Sequence, residues 1–167
     1  MVDLLSHVLV GYSACALLAR RGCIGDRHVP VGTVGSALPD LAKVQLLVSP
    51  GAVGALLGTP FSWLALHRLG GVLALAGIGA LLFERGERRT VFGLLVGGGL
   101  GELFLDVFVT RAGGYAPPYL YPFSWWQPPA GNLYVSSDLW PLVVAAALAL
   151  ATFVYVRRDA ATAADRR

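Results

Sequence analysis

The sequence predicts an all-α fold, a polytopic membrane helix bundle of about five transmembrane helices. Three observations carry this expectation. The 167 residues are 56% hydrophobic and only 14% charged, against about 25% charged in a typical soluble domain, and the mean hydropathy is +0.64. The apolar residues collect into long runs separated by polar loops. The arginines fall in alternate loops, the distribution by which a membrane orients a chain.

The first run is Leu4 to Ala19, closed by Arg20 and Arg21. It lacks a basic leading region and Asp3 precedes it, so it reads as a retained helix rather than a cleaved signal. The second run, Val29 to Val48, is interrupted by Pro39-Asp40 and predicts a kinked or discontinuous helix. Residues 49–60 form a looser stretch with room for a short interfacial segment. The third run is Phe61 to Phe83, with His67 and Arg68 inside it, and the fourth is Thr90 to Thr110, holding Glu102 and Asp106. Both reach the roughly 20 residues that a spanning helix needs; the first and fifth are slightly short. Residues 111–137 are rich in Gly, Pro, Tyr and Trp and are expected to cap the outer face. The fifth run is Leu139 to Val156, with Asp138 expected as its N-terminal cap or as a partner of the helix dipole. Residues 1–156 thus form one transmembrane domain, and 157–167 a polar cytoplasmic tail.

Topology follows from the arginines. Arg20, Arg21 and Arg27 lie in the first loop, Arg85, Arg88 and Arg89 in the third, and Arg157, Arg158, Arg166 and Arg167 in the tail. Five spans put these segments on one side, with only Arg111 opposite. The positive-inside rule then places the N-terminus outside and the C-terminus in the cytoplasm. The net charge of +3 is too small and scattered for a nucleic-acid footprint, so the bilayer is the expected partner. Cys15 and Cys23 make no disulfide framework and are expected as unpaired thiols.

On this topology His7, Asp40, His67, Glu102 and Asp106 all fall in the outer half of the membrane, on four different helices. His67 is expected about two turns inside its helix. Three carboxylates with Lys43 and Arg68 would cost on the order of 10 kcal/mol if left unpaired in lipid. They are therefore expected to face each other, a cation or a water-filled cavity. Glu102 and Asp106 are four apart and share one helix face. Asp3 is placed to orient His7 in the same way, and Lys43 to pair with Asp40. Glycines at 97, 98, 99 and 101 let helix backbones approach closely. Imidazole with carboxylate is a usual ligand mix for zinc or a similar divalent ion, and metal-assisted hydrolysis is the chemistry that set serves.

Four stretches resemble the YdjM-like family of membrane-bound, metal-dependent hydrolases, which has archaeal members. They are SHVLVGYS, GSALPDLAKV, LALHRLGG and GELFLDVFVTRAGGY. The resemblance covers roughly residues 1–126. It implies His7, Asp40, His67 and Asp106 as metal ligands, with Glu102 matching by position only. The chain also departs from the family pattern. Leu41-Ala42-Lys43 stands where a second acid and a His often follow, Val72 where a further His is found, and Glu102 in place of a His. Two readings of function result. In the first, a membrane-embedded hydrolase binds a divalent ion, expected to be zinc, through His7, Asp40, His67 and Asp106. Glu102 serves as a fifth ligand or general base, and Arg68 as the holder of an anionic group on a lipid-like or phosphoester substrate at the outer face. In the second, the same cluster is structural, or an ion or proton pathway, in a catalytically inactive scaffold.

Overall fold

The computed structural model describes residues 2–165, with the side chains of residues 4–159. The expected contact of Asp3 with His7 and the placement of Arg166 and Arg167 lie outside the described residues.

Among the described residues the regular elements are all helical, without strands. Six α-helices form in order: α1 Val2–Arg20, α2 Val29–Gly35, α3 Pro50–Leu57, α4 Leu69–Leu81, α5 Arg88–Asp106 and α6 Trp140–Asp165. Short 3-10 segments stand at Asp26–His28, Pro39–Leu46 and Trp63–Ala65. The second apolar run is broken as expected. It continues from α2 into the 3-10 segment at Pro39–Leu46, which turns by 91° into α3. Pro39 and Pro50 each stand at the start of their segment, where the missing N–H costs nothing.

Ion pairs at one end of the molecule fix how the passes alternate. Arg20 at the end of α1 pairs with Asp159 of α6, and Arg27 in the first loop pairs with Glu87 ahead of α5. His28 lies 3.9 Å from the same Glu87. The first loop, the third loop and the end of α6 therefore share one end. His7, His67 and Asp106 meet at the other. The chain passes back and forth between these two ends.

Membrane fitness is uneven along these passes. Residues Trp140–Asp159 of α6 are long and apolar enough to cross a bilayer, and only 17% of that window is buried inside the protein. Its Val143 and Leu150 are each 65% exposed, as on a helix facing lipid rather than a soluble core. Helices α1 and α4 are apolar but shorter.

The third run corrects one expectation. Phe61–Arg68 is not helical, apart from a single 3-10 turn, and α4 starts only at Leu69. His67 therefore sits in the turn ahead of α4, not two turns inside it, and Arg68 is the residue that opens the helix. The reason is a competing set of backbone bonds. The N–H groups of Leu69 and Gly70 donate to the carbonyls of Tyr119 and Tyr121, at 2.7 and 2.9 Å. These are donors that a helix start leaves without internal partners. The 111–137 loop thus caps α4 directly. Gly71 lies against Ala65 and Leu66, so the turn folds tightly back onto the helix.

That loop is ordered by further backbone bonds. Gly131 and Leu133 donate to Val107 and Phe108 at 2.8 Å each, and Thr110 donates to Tyr134 at 2.7 Å. Asp138 differs from its expected role. Its carboxylate accepts the Val135 N–H at 2.8 Å, closing the turn before α6 instead of capping the helix.

The packing of α2 on α5 is backbone against backbone. A Cβ at Gly98 would lie 2.5 Å from the Ser36 nitrogen and 2.6 Å from the Gly32 carbonyl oxygen. A Cβ at Gly35 would lie 2.8 Å from the Leu95 Cα. Glycine at these positions brings Asp40, just past α2, within reach of the end of α5.

Candidate metal centre

Each polar side chain of the cluster is delivered by the end of an element, where backbone regularity breaks. His7 is in the first turns of α1, Asp40 is the second residue of a 3-10 segment, His67 precedes α4, and Asp106 ends α5 with Glu102 one turn earlier. Burial is nearly complete: Glu102 is 1% exposed, His7 3%, Asp106 5% and Asp40 8%.

The five residues converge. His7 Nδ1 lies 3.8 Å from Glu102 Oε1, and its Nε2 lies 3.6 Å from Asp106 Oδ1. His67 Nε2 donates to Asp106 Oδ2 at 2.8 Å, while its Nδ1 is 4.0 Å from Glu102 Oε1. One ligand atom from each of His7, Asp40 and Glu102 lies within 4.8 Å of the other two. That spacing suits three donors around one small cation.

Among the described residues, two of the three carboxylates have a lysine or arginine beside them. Lys43 Nζ holds Asp40 Oδ2 at 2.5 Å, the expected pair. Arg111 Nη2 stands 3.9 Å from Asp106 Oδ2 and donates to the Tyr119 hydroxyl at 3.3 Å. Glu102 faces imidazoles but no lysine or arginine among the described residues. Neither of its carboxylate oxygens makes a hydrogen bond, and Asp106 Oδ1 makes none either. Buried oxygens in this state are costly unless something positive meets them. The donor set of imidazole and carboxylate therefore fits a divalent ion on its own chemistry.

The expected site residues thus divide. His7, Asp40, His67, Glu102 and Asp106 come together. Arg68 does not join them: its guanidinium lies over the rings of Tyr121 and Trp125, at 5.1 and 5.9 Å from their centres. Arg68→Ala should accordingly leave metal content unchanged, which elemental analysis of the purified variant checks. The sequence placed Tyr119 only among the loop aromatics expected as an interfacial belt and did not place Arg111 at the site, because nothing in a Gly- and Pro-rich loop shows which side chain turns inward. The nearest signal was that Arg111 is the lone arginine on its side. Asn132, with φ of 48°, fixes it by accepting the Arg111 N–H at 3.1 Å.

The YdjM inner membrane protein family matches residues 1–164. The chain belongs to this family. It is accordingly an integral membrane protein of the cell membrane, in keeping with the lipid-facing α6. No curated protein and no solved structure matches the chain. The departures from the YdjM pattern take on structural meaning here. Val72 is fully buried, packing with Leu103, Ala116 and Tyr119 beside the cluster, and its methyls fill the space over Gly99. In this YdjM protein that position serves the core.

Proposed function

We propose that this YdjM-family protein is a metal-dependent hydrolase whose site opens at the outer membrane face, toward a lipid or phosphoester substrate. One observation carries the reading. Glu102 is buried with neither carboxylate oxygen within hydrogen-bonding distance of a donor, and one ligand atom of it lies within 4.8 Å of one from each of His7 and Asp40.

His7, Asp40 and Glu102 hold the ion, zinc being the first candidate, with Asp106 and His67 completing the donor set. A bound ion of this kind lowers the pKa of water to about 7 and polarises a carbonyl or phosphoryl oxygen. The protein's own groups do the rest. Asp106 fixes the His67 ring through Nε2, an orienting contact of the kind that supports ligands and bases. Arg111, between Asp106 and Tyr119, is the nearest guanidinium for an anionic substrate group. Arg68, over two aromatic rings of the loop, is a second one further out.

Hydrolysis of a generic phosphodiester and a generic carboxyl ester, assayed with added zinc, tests the reading. His67→Ala should lose about 10–100-fold in metal affinity or rate, and the His7→Ala/Glu102→Ala double variant should be inactive. Wild-type activity in that double variant would reject the assignment. A protein that stays metal-free after zinc supplementation would favour a structural network or a proton pathway.

Five membrane crossings, with the N-terminus outside, are part of the same proposal. Cys23 is exposed in the arginine-rich first loop, and Gln127 is exposed in the capping loop. A membrane-impermeant maleimide should label Cys23 only after permeabilisation. In a Cys23→Ser/Gln127→Cys variant it should label the new thiol in intact cells. The reverse pattern would invert the topology and move the site to the cytoplasmic face.

A further inference from the structure

A groove leads away from the cluster between α1, α2 and α5. Helix α2 forms its floor, with Gly32 and Ser36, and α1 and α5 form its walls. His7 and Glu102 line one end, and Leu18 and Gly93 the other. Along α1 the distance from His7 to Leu18 is about 16 Å, three helical turns. The cavity measures about 280 Å³, and apart from His7, Glu102, Ser36 and the Cys15 thiol it is lined by apolar side chains and glycine.

The glycines of α5 fall into two sets with different tasks. Gly98 and Gly99 touch α2 and Val72, as helix packing requires. Gly93, Gly97 and Gly101 recur every four residues and line the groove. A Cβ at any of these three would meet nothing within 4 Å. Packing does not require glycine there, and each glycine in a helix interior costs about 1 kcal/mol relative to alanine. What their absent side chains preserve is the groove. The second, independent observation is Glu102 itself, buried, without a hydrogen bond on either oxygen, and lining the groove's end.

We infer that this groove holds the single acyl chain of a membrane lipid, with the lipid's polar linkage at the His7–Glu102 end. The groove is long and mostly apolar, with its ionisable groups His7 and Glu102 at one end and the Ser36 hydroxyl bonded to the Thr33 carbonyl, and the protein lies in a membrane. A compact soluble substrate would leave most of this length empty. The inference rests on the proposed function and names its substrate class: a lipid cleaved near its head, the chain stored between α1 and α5.

The test uses full-length protein in detergent and a lysophosphatidylglycerol carrying a photoreactive diazirine in its acyl chain. Adducts are mapped by mass spectrometry, and unlabelled lauroyl lysophosphatidylglycerol competes. Labelling of the α1 and α5 segments around residues 14–18 and 93–97 should be saturable, while labelling of the lipid-facing α6 should not. Gly97→Leu should fill the groove and lower the saturable part about tenfold. Gly77→Leu, on α4 with equally open space and outside the groove, should leave it unchanged. Should Gly97→Leu fail to fold, Gly93→Leu serves in its place. Non-saturable labelling, or equal labelling in the groove-filling variant, would overturn the inference. The readout needs neither metal nor turnover. Saturable labelling of a metal-free protein would therefore sink the hydrolase reading and leave the groove, and a metal-loaded protein without saturable labelling would do the reverse.

Discussion

In metal-stripped protein, Glu102→Gln should raise the melting temperature by about 4–8 °C, and the same substitution should abolish the rise that zinc gives the wild type. The two effects have opposite signs because they come from one group in two states. Without a cation, the Glu102 carboxylate is buried with no hydrogen bond on either oxygen, and a charge at membrane depth costs about 2.5–3.5 kcal/mol on insertion scales. Glutamine keeps the shape and removes the charge. Recovering about 2 kcal/mol corresponds to that shift for a protein of this size, at about 2–4 °C per kcal/mol. With zinc at one hundred times its dissociation constant the wild type should gain about 2.7 kcal/mol. The Gln variant loses a ligand and should gain almost nothing. Thermal melts with and without chelator check both halves. A Gln variant that is destabilised when stripped would mean that Glu102 already has a partner that matters.

The second large effect separates two adjacent glycines. Gly98→Ala should destabilise the protein by about 1–3 kcal/mol, whereas Gly97→Ala should be neutral or stabilising by up to about 1 kcal/mol. A Cβ at Gly98 would lie 2.5 Å from the Ser36 nitrogen and 2.6 Å from the Gly32 oxygen. Both are backbone atoms, so relief requires α2 to move off α5. At Gly97 the same Cβ meets nothing within 4 Å. Any shift of α2 also carries Asp40 away from Glu102, so Gly98→Ala should weaken zinc binding without touching a ligand. Denaturation melts and zinc titration on the two variants, side by side, give the comparison. Equal behaviour of the pair would contradict the packing described for α2 and α5.

Much of this was legible in the sequence because membrane burial makes polar residues conspicuous. Glu102 and Asp106 inside an apolar run had to face something, and their four-residue spacing fixed a common face. Pro39-Asp40 announced a break in the second run, and the break is where Asp40 enters the site. The arginine loops predicted that the first loop, the third loop and the end of the last helix share one side, and the Arg20–Asp159 and Arg27–Glu87 pairs bring those three segments together.

What escaped has a common cause. Hydropathy measures what the solvent is, not what the backbone does. Phe61–Arg68 is as apolar as a helix, yet its neighbours' N–H groups bond to the capping loop, so the helix starts late and His67 moves into a turn. The inward turn of Arg111 and Tyr119 depends on long-range pairing between residues 107–116 and 128–134, which no local pattern encodes. Arg68, adjacent to a site histidine, drew attention by proximity in sequence, and its aromatic contacts lie elsewhere.

The most direct test of the central claim is X-ray absorption spectroscopy at the metal edge on zinc-loaded protein, wild type and His7→Ala. A nitrogen and oxygen shell at about 2.0–2.2 Å, with an imidazole contribution that falls in the variant, is the predicted result. A sulfur shell near about 2.3 Å, or a spectrum that His7→Ala leaves unchanged, would place the ion on other residues and contradict the account.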